Sequence, residues 1–155
     1  MKIMNETYEQ CLASLRCEIE TDGGRPAIID AAVNKLLAKG DERLTSDLLS
    51  FLTDNAEYDE GMFSLVHAAE ACDDRTYVRA LLAVFPGLVA SSPRWASIVL
   101  MRVLNSPSAQ AELVRQLRNA PNFAKEAMRA MCERINSVSP QFLSKTVPVT
   151  VAASE

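Results

Sequence analysis

The sequence of 155 residues has a single histidine, His67, and none of its four cysteines stands in a CxxC pair. Structural zinc sites need four cysteine or histidine ligands, so we do not expect one here. The phosphate-binding pattern GxxxxGK and the nucleophile pattern GxSxG are also missing, and the glycines of DGGRP follow a predicted helix rather than a strand. We therefore expect neither a nucleotide-binding enzyme nor a serine hydrolase, and no cofactor.

Long apolar runs are missing as well. No run approaches the roughly 20 residues of a membrane-spanning helix, and SIVLMRVL is interrupted by Arg102. The first residues, MKIMNETYEQ, contain one lysine and no apolar core, which is not typical of a signal peptide. We expect a cytoplasmic protein with free cysteine thiols and no membrane partner.

Lysine and arginine are absent between Asp54 and Asp74, a stretch that contains seven carboxylates. Through Asp74 the chain has 16 acidic and 6 basic residues, a net charge of −10, whereas from Arg75 onward the net charge is +6. Such asymmetry indicates a charged partner, although a solvated acidic face is the alternative. An acidic first half argues against nucleic acid as the direct ligand and favours a basic protein.

Apolar residues recur three or four positions apart through most of the chain, which predicts helices and no convincing strand. Asn5 or Thr7 can cap the first helix, Pro26 opens the second, and Gly40 ends it. Pro86 is expected to end the fifth helix because proline lacks the amide hydrogen that a helix interior needs. Further helix starts are expected near residues 44, 58, 73, 93, 107 and 121.

The spacing of these starts is similar to that of short helical hairpins stacked side by side. We predict an all-α fold, an irregular stack of the armadillo or HEAT kind with about seven to eight helices. We expect one helical domain over residues 1–138. From Ser139 onward the chain lacks helical spacing, which predicts an extended or flexible tail over residues 139–155.

The stretch YDEGMFSLVHAAEACDD, residues 58–74, places the histidine among carboxylates. On one continuous helix, Glu60, His67, Glu70 and Asp74 fall along one side. His67 and Glu70 could hold a metal ion, but helical di-iron sites need two Glu-x-x-His motifs and two further glutamates. A surface pair in which Glu70 keeps His67 partly protonated is favoured, and no nucleophile accompanies the histidine. We predict no metal and no catalysis.

The segments YDEGMFSLVHAAE, DDRTYV and SPRWASIVLMRVLNS lie within residues 45–135. In this order they resemble a family of helical immunity proteins found beside polymorphic toxin and contact-dependent growth-inhibition systems. The resemblance implies a cytoplasmic protein without enzymatic activity that binds the C-terminal domain of a toxin and blocks it. The residues that fall on the three segments are Tyr58, Asp59, Glu60, His67, Glu70, Asp73, Asp74, Tyr77, Trp95, Arg102 and Asn105.

Charge and resemblance together predict an immunity protein that neutralises a cognate toxin, expected to be a nuclease because nuclease clefts are basic. The expected toxin-binding residues are Asp54, Glu57, Tyr58, Asp59, Glu60, His67, Glu70, Asp73 and Asp74. The alternative is a helical-repeat adaptor that binds a peptide or protein partner unrelated to toxins. A metal-dependent hydrolase built on His67 and Glu70 is a distant third hypothesis. The sequence does not predict the oligomeric state.

Overall fold

The computed structural model describes residues 6–155, which form nine α-helices, one short 3₁₀-helix and no strand. The all-α prediction is confirmed, whereas the armadillo or HEAT kind of stacking stays a prediction. The α-helices are α1 (Tyr8–Asp22), α2 (Pro26–Lys39), α3 (Leu44–Ser50), α4 (Asp59–Ala69), α5 (Asp74–Ser91), α6 (Pro93–Leu104), α7 (Pro107–Leu117), α8 (Asn122–Val138) and α9 (Leu143–Ala153).

The chain divides into two compact units, one that runs to Ala71 and one from Cys72 to Glu155. Unit 1 contains α1 to α4, and unit 2 contains α5 to α9. The sequence of unit 1 has 14 acidic and 6 basic residues, a net charge of −8, whereas unit 2 has a net charge of +4. The predicted single domain over residues 1–138 stays a prediction.

In unit 1, α2 packs against α1 and α4, and α3 packs against α4. Burial of each large apolar side chain contributes about 1.5–3 kcal/mol to stability. The fully buried ones are Leu15, Ile29, Leu36, Leu48, Leu49, Met62, Leu65 and Val66. Their spacing of three, four and seven residues is the periodicity from which the helices were predicted.

Local signals start and end the helices of unit 1. Thr7 and Gln10 form a capping box, in which each side chain accepts a hydrogen bond from the backbone N–H of the other residue. Asn5, the alternative cap, lies outside the described residues. Gly23 and Gly40 end α1 and α2 with φ angles of 77° and 62°, in the left-handed region that favours glycine.

In unit 2, α5 packs against α6, α7 and α8. It passes through Pro86 and continues to Ser91, so the prediction that Pro86 ends the helix is wrong. A proline in a helix interior costs about 3 kcal/mol. Phe85 and Leu88, on either side of it, and Leu81, one turn earlier, are all buried. Because each contributes about 1.5–3 kcal/mol, packing outweighs the local cost.

The predicted extended tail is also wrong. Residues 140–142 form the 3₁₀-helix and α9 follows as a regular α-helix that packs against α7 and α8. Its buried residues are mainly small or β-branched, among them Thr146, Val149 and Ala152. A short stripe of this composition gives only a weak periodic signal, which is why the sequence did not reveal the helix.

Candidate functional site

Four of the predicted carboxylates lie close together at the N-terminal end of α4. Asp54 and Glu57 belong to the loop between α3 and α4, and Asp59 and Glu60 belong to the first turn of α4. All four are exposed, and Tyr58 between them is 39% exposed. We call residues 54–60 the acidic segment. Carboxylates in a first helical turn also interact favourably with the helix dipole, so Asp59 and Glu60 stabilise α4 as well.

The acidic segment is fixed to the loop between α1 and α2. The Gly23 carbonyl accepts hydrogen bonds from the backbone N–H groups of Glu57, at 3.0 Å, and Tyr58, at 3.3 Å. Gly23 has a φ of +77°, and a Cβ at this position would lie 2.6 Å from the Cβ of Glu57. Any other residue there would introduce both backbone strain and a steric clash.

Gly61, directly after the acidic segment, lets α4 approach the same loop. A Cβ on Gly61 would lie 2.3 Å from the Gly24 carbonyl oxygen and 2.7 Å from Ile29 Cδ1. A clash with a backbone atom cannot be relieved by a side-chain rotation. Sequence reasoning missed Gly61, and it considered the Gly23–Gly24 pair only to argue against a phosphate-binding loop. The available signal was a glycine inside a predicted helix, where it costs about 1 kcal/mol relative to alanine.

Glu18 closes the turn that contains the two glycines. Its carboxylate is 5% exposed and accepts hydrogen bonds from the Arg25 backbone N–H at 2.9 Å and from Arg25 Nη2 at 2.7 Å. The hydrogen bonds from the Arg25 guanidinium are the main cause that lowers the pKa of Glu18, and the backbone hydrogen bond adds to it. This charge-assisted pair joins the end of α1 to the start of α2.

The basic side chains described in unit 1 contact groups of the same unit. These contacts are Arg16 over the Phe51 ring, Arg25 with Glu18 and Asp22, Lys35 with the Glu6 carboxylate, Lys39 with the Glu6 carbonyl, and Arg43 with Glu9 and Asp41. With 14 acidic and 6 basic residues in its sequence, the unit keeps an excess of carboxylates. The excess gives unit 1 a negative electrostatic potential.

His67 and Glu70 lie at the opposite end of α4. His67 is exposed, and its ring centroid is 6.3 Å from that of Phe63. Glu70 is the half-buried residue that follows the last turn of α4. Seven residues separate Glu60 from His67, which corresponds to about 10 Å along a helix. Residues 54–60 therefore form one exposed segment of the chain, and His67 and Glu70 lie about two turns or more further along α4.

Asp73 and Asp74 belong to unit 2, where they start α5. The prediction that one helix carries residues 60–74 along one side is wrong, because α4 ends at Ala69. The Asp73 carboxylate caps α5 and accepts hydrogen bonds from the Thr76 backbone N–H at 2.8 Å and the Thr76 hydroxyl at 3.0 Å. The hydrogen bond from the Thr76 backbone N–H is the main reason why the pKa of Asp73 is lowered. Capping by itself accounts for an aspartate at this position.

Among residues 6–155, no group of three or more His, Cys, Asp or Glu side chains is placed to hold a metal ion. Within the same residues, none of the helices is both long enough and apolar enough to cross a membrane. The geometry of unit 1 thus offers an exposed, negatively charged surface on a fixed backbone. Such a surface is suited to recognition of a positively charged partner.

Comparison with known protein families supports an immunity protein. A family model described as immunity protein 30 matches residues 18–113, more than half of the chain. The matched residues begin at Glu18, end in α7, and include all nine predicted toxin-binding residues. No curated protein and no solved structure matches the chain.

Proposed function

From the premise that this chain belongs to the immunity protein 30 family, we propose that it neutralises a cognate toxin domain through the acidic segment, residues 54–60. Family membership makes it an immunity protein of a toxin system, with a toxin protein as its partner. The proposal adds that the toxin domain is the C-terminal nuclease domain of a contact-dependent growth-inhibition or related polymorphic toxin. Binding takes place in the cytoplasm, and the immunity protein transforms no substrate.

The observation that carries the proposal is the fixed backbone beneath the exposed carboxylates. Glu57 and Tyr58 are hydrogen-bonded to Gly23, and Gly61 places the first turn of α4 against Gly24. A segment that is already ordered loses less conformational entropy on binding than a flexible acidic loop. The backbone that carries Glu57, Tyr58 and the first turn of α4 is therefore already ordered before a partner binds.

A nuclease is the class of toxin that this surface fits best. Nuclease clefts are basic because they neutralise the phosphates of their substrate. Carboxylates spaced along a rigid segment can occupy such a cleft in place of phosphates. Complementary charge also accelerates encounter, with association rates of up to about 10⁸–10⁹ M⁻¹s⁻¹ at low salt. Fast capture is an advantage when the partner is lethal.

Tyr58 is the residue of the acidic segment best suited to supply binding energy. Exposed tyrosines are over-represented among residues whose truncation weakens interfaces most, whereas rim charges mainly set the rate and its salt dependence. His67 and Glu70, two turns along α4, and Asp73 and Asp74, at the start of α5, stay predicted contacts of the toxin.

The test is charge reversal in the acidic segment. We expect Asp59→Lys with Glu60→Lys to lower the affinity for the toxin domain at least tenfold, measured by surface plasmon resonance, without a change in the circular dichroism spectrum. The matched control is Asp30→Lys with Glu42→Lys, which changes the net charge equally at two exposed residues of unit 1. The control should lower affinity only slightly, because general charge attraction is screened by salt.

The partner for this test is the proposed C-terminal domain of the cognate toxin, co-expressed and purified with the immunity protein. If the double variant binds the toxin as tightly as the wild type and still protects cells, the acidic segment is not the interface. If both charge-reversed pairs weaken binding equally, net charge alone explains the effect and the proposed site is wrong.

A further inference from the structure

α9 is a helix built from residues that favour other conformations. Positions 146–151 read TVPVTV, in which five residues are β-branched and the sixth is proline. β-branched side chains lose rotamers in a helix, and Pro148 leaves the Ser144 carbonyl without its helical donor. The helix ends without a glycine cap, since Ser154 follows it in right-handed conformation. Contacts with α7 and α8 must therefore supply the stability of α9.

Three cations contact the C-terminal end of α9. Arg129 Nη1 donates to the Ala153 carbonyl at 2.6 Å, and Lys125 Nζ donates to the Glu155 carbonyl at 3.0 Å. Arg118 forms an ion pair with the Glu155 side chain at 3.2 Å. The last carbonyls of a helix carry a partial negative charge, so Arg129 at the Ala153 carbonyl replaces part of the missing cap, while Lys125 and Arg118 hold Glu155, two residues beyond the helix.

Polar contacts also hold the first turns of α9. Gln110 of α7 donates from Nε2 to the Lys145 carbonyl at 2.7 Å. The Thr146 hydroxyl donates to the Asn136 side chain of α8 at 2.8 Å. Both contacts are made by side chains, whereas a long helix in a core is held mainly by apolar packing.

The apolar attachment of α9 is narrow. Its fully buried face consists of small or β-branched side chains, among them Thr146, Val149 and Ala152. Three further apolar side chains face outward, since Leu143, Val147 and Val151 are 47–53% exposed. Because little apolar area is removed from water, the hydrophobic contribution to docking is small for a helix of this length.

Cys132 of α8 lies against α9. Its thiol is completely buried and lies near the Thr150 side chain of α9. Burial raises the pKa of Cys132 to about 11. While α9 is docked, the thiol is therefore both inaccessible and protonated, and it should not react with thiol reagents.

We propose that α9 detaches from α7 and α8 as one unit while the remainder of unit 2 stays folded. The contacts of Arg129, Lys125 and Arg118 with the end of α9 set the frequency of this opening. Detachment uncovers Cys132 and the surface of α7 and α8 beneath the helix. Local openings of this kind occur in elements with few buried apolar contacts.

Hydrogen exchange of the wild-type chain, read by mass spectrometry, tests the proposal without any substitution. Amides of α9 should exchange at least tenfold faster than those of α5, and their exchange should be nearly independent of low urea concentrations, because local opening exposes little surface. Equal protection of α9 and α5, with the same urea dependence, would show that α9 opens only in global unfolding and would overturn the proposal.

Thiol labelling tests the role of the cations. In a chain that keeps only Cys132 (Cys11→Ala, Cys17→Ser, Cys72→Ser), Arg129→Ala should accelerate labelling by N-ethylmaleimide about tenfold, the ratio expected for loss of one charge-assisted hydrogen bond. The matched control is Arg134→Ala, which removes an exposed cation from the same helix and should leave the rate unchanged.

Urea unfolding of the same variants separates local from global effects. The loss in the free energy of unfolding predicts how much labelling would accelerate if Cys132 reacted only in the globally unfolded chain. A labelling rate that rises more than this supports detachment of α9. Labelling that accelerates only in proportion to that loss, or equally in the Arg134→Ala control, contradicts it.

Discussion

At the scale of single residues, three glycines explain more about the candidate site than the charged residues do. Gly23 and Gly24 both have φ angles near +78°, and Gly61 leaves no room for a methyl group. Together they let the first turn of α4 lie directly on the loop between α1 and α2. The carboxylates supply charge, while the glycines decide where that charge is placed.

Substitution of Gly61 by alanine tests this close approach. The new methyl group would lie 2.3 Å from the Gly24 carbonyl oxygen, so one of the two backbones must move. We expect a loss of about 1–3 kcal/mol in the free energy of unfolding, despite the gain of up to about 1 kcal/mol in helix propensity. Urea titration of the full chain measures the change.

Gly87→Ala is the control, because Gly87 lies inside α5 and an added methyl group there would have no atom of another residue within 4 Å beyond its own helical turn. The same substitution there should stabilise the chain by about 0.5–1 kcal/mol. Opposite signs at the two positions are expected. Stabilisation by Gly61→Ala would mean that α4 and the glycine loop are not in close contact.

At the scale of helices, the sequence predicts boundaries where local chemistry decides them. Several boundaries lie where the residue types predict them. Helices start at Pro26, Asp73, Pro93 and Pro107, and α2 ends at Gly40. The sequence fails where contacts from distant helices decide. Pro86 is overridden by buried neighbours in α5, and α9 forms only because α7 and α8 hold it.

The same distinction applies to the candidate site. The exposed carboxylates of residues 54–60 could be predicted, because a run of acids without a lysine or arginine is visible in the sequence. Their grouping with His67, Glu70 and Asp74 could not, because it assumed one helix that in fact ends at Ala69. The hydrogen bonds from residues 57 and 58 to Gly23 depend on tertiary packing and left no sequence signal.

Removal of the Asp73 side chain should destabilise α5. We expect Asp73→Ala to lower the thermal midpoint by a few degrees at pH 7, because the Thr76 N–H loses its acceptor. The folded state lowers the pKa of Asp73, so the carboxylate stabilises the fold above its unfolded pKa of about 3.9 and loses this effect as the pH falls below it. The difference between wild type and variant should therefore shrink in acid.

Asp73→Ser provides the control, since serine caps helices well but does not titrate. It should stay close to the wild type at pH 7, and its thermal midpoint should lack the part of the acid-dependent loss that comes from Asp73. Calorimetry between pH 7 and pH 3 follows all three proteins. An equal thermal midpoint for Asp73→Ala and wild type at pH 7 would contradict a stabilising cap.

At the scale of the whole molecule, opposite charges are divided between the two units. Unit 1 has a net charge of −8 and unit 2 a net charge of +4. We expect the proposed basic toxin domain to be attracted by unit 1 and repelled by unit 2.

Salt should separate these long-range effects from contact energy. Between about 0.05 M and 0.5 M NaCl, the association rate with the toxin domain should fall at least tenfold, while the dissociation rate changes little, because exposed charges are screened beyond the Debye length. Stopped-flow fluorescence measures the association rate. In the double variant Asp59→Lys with Glu60→Lys, the association rate should depend much less on the salt concentration. In the double variant Arg75→Glu with Arg79→Glu, the salt dependence of the association rate should stay the same or become steeper. If this variant instead shows a weaker salt dependence, the partner is acidic and binds unit 2.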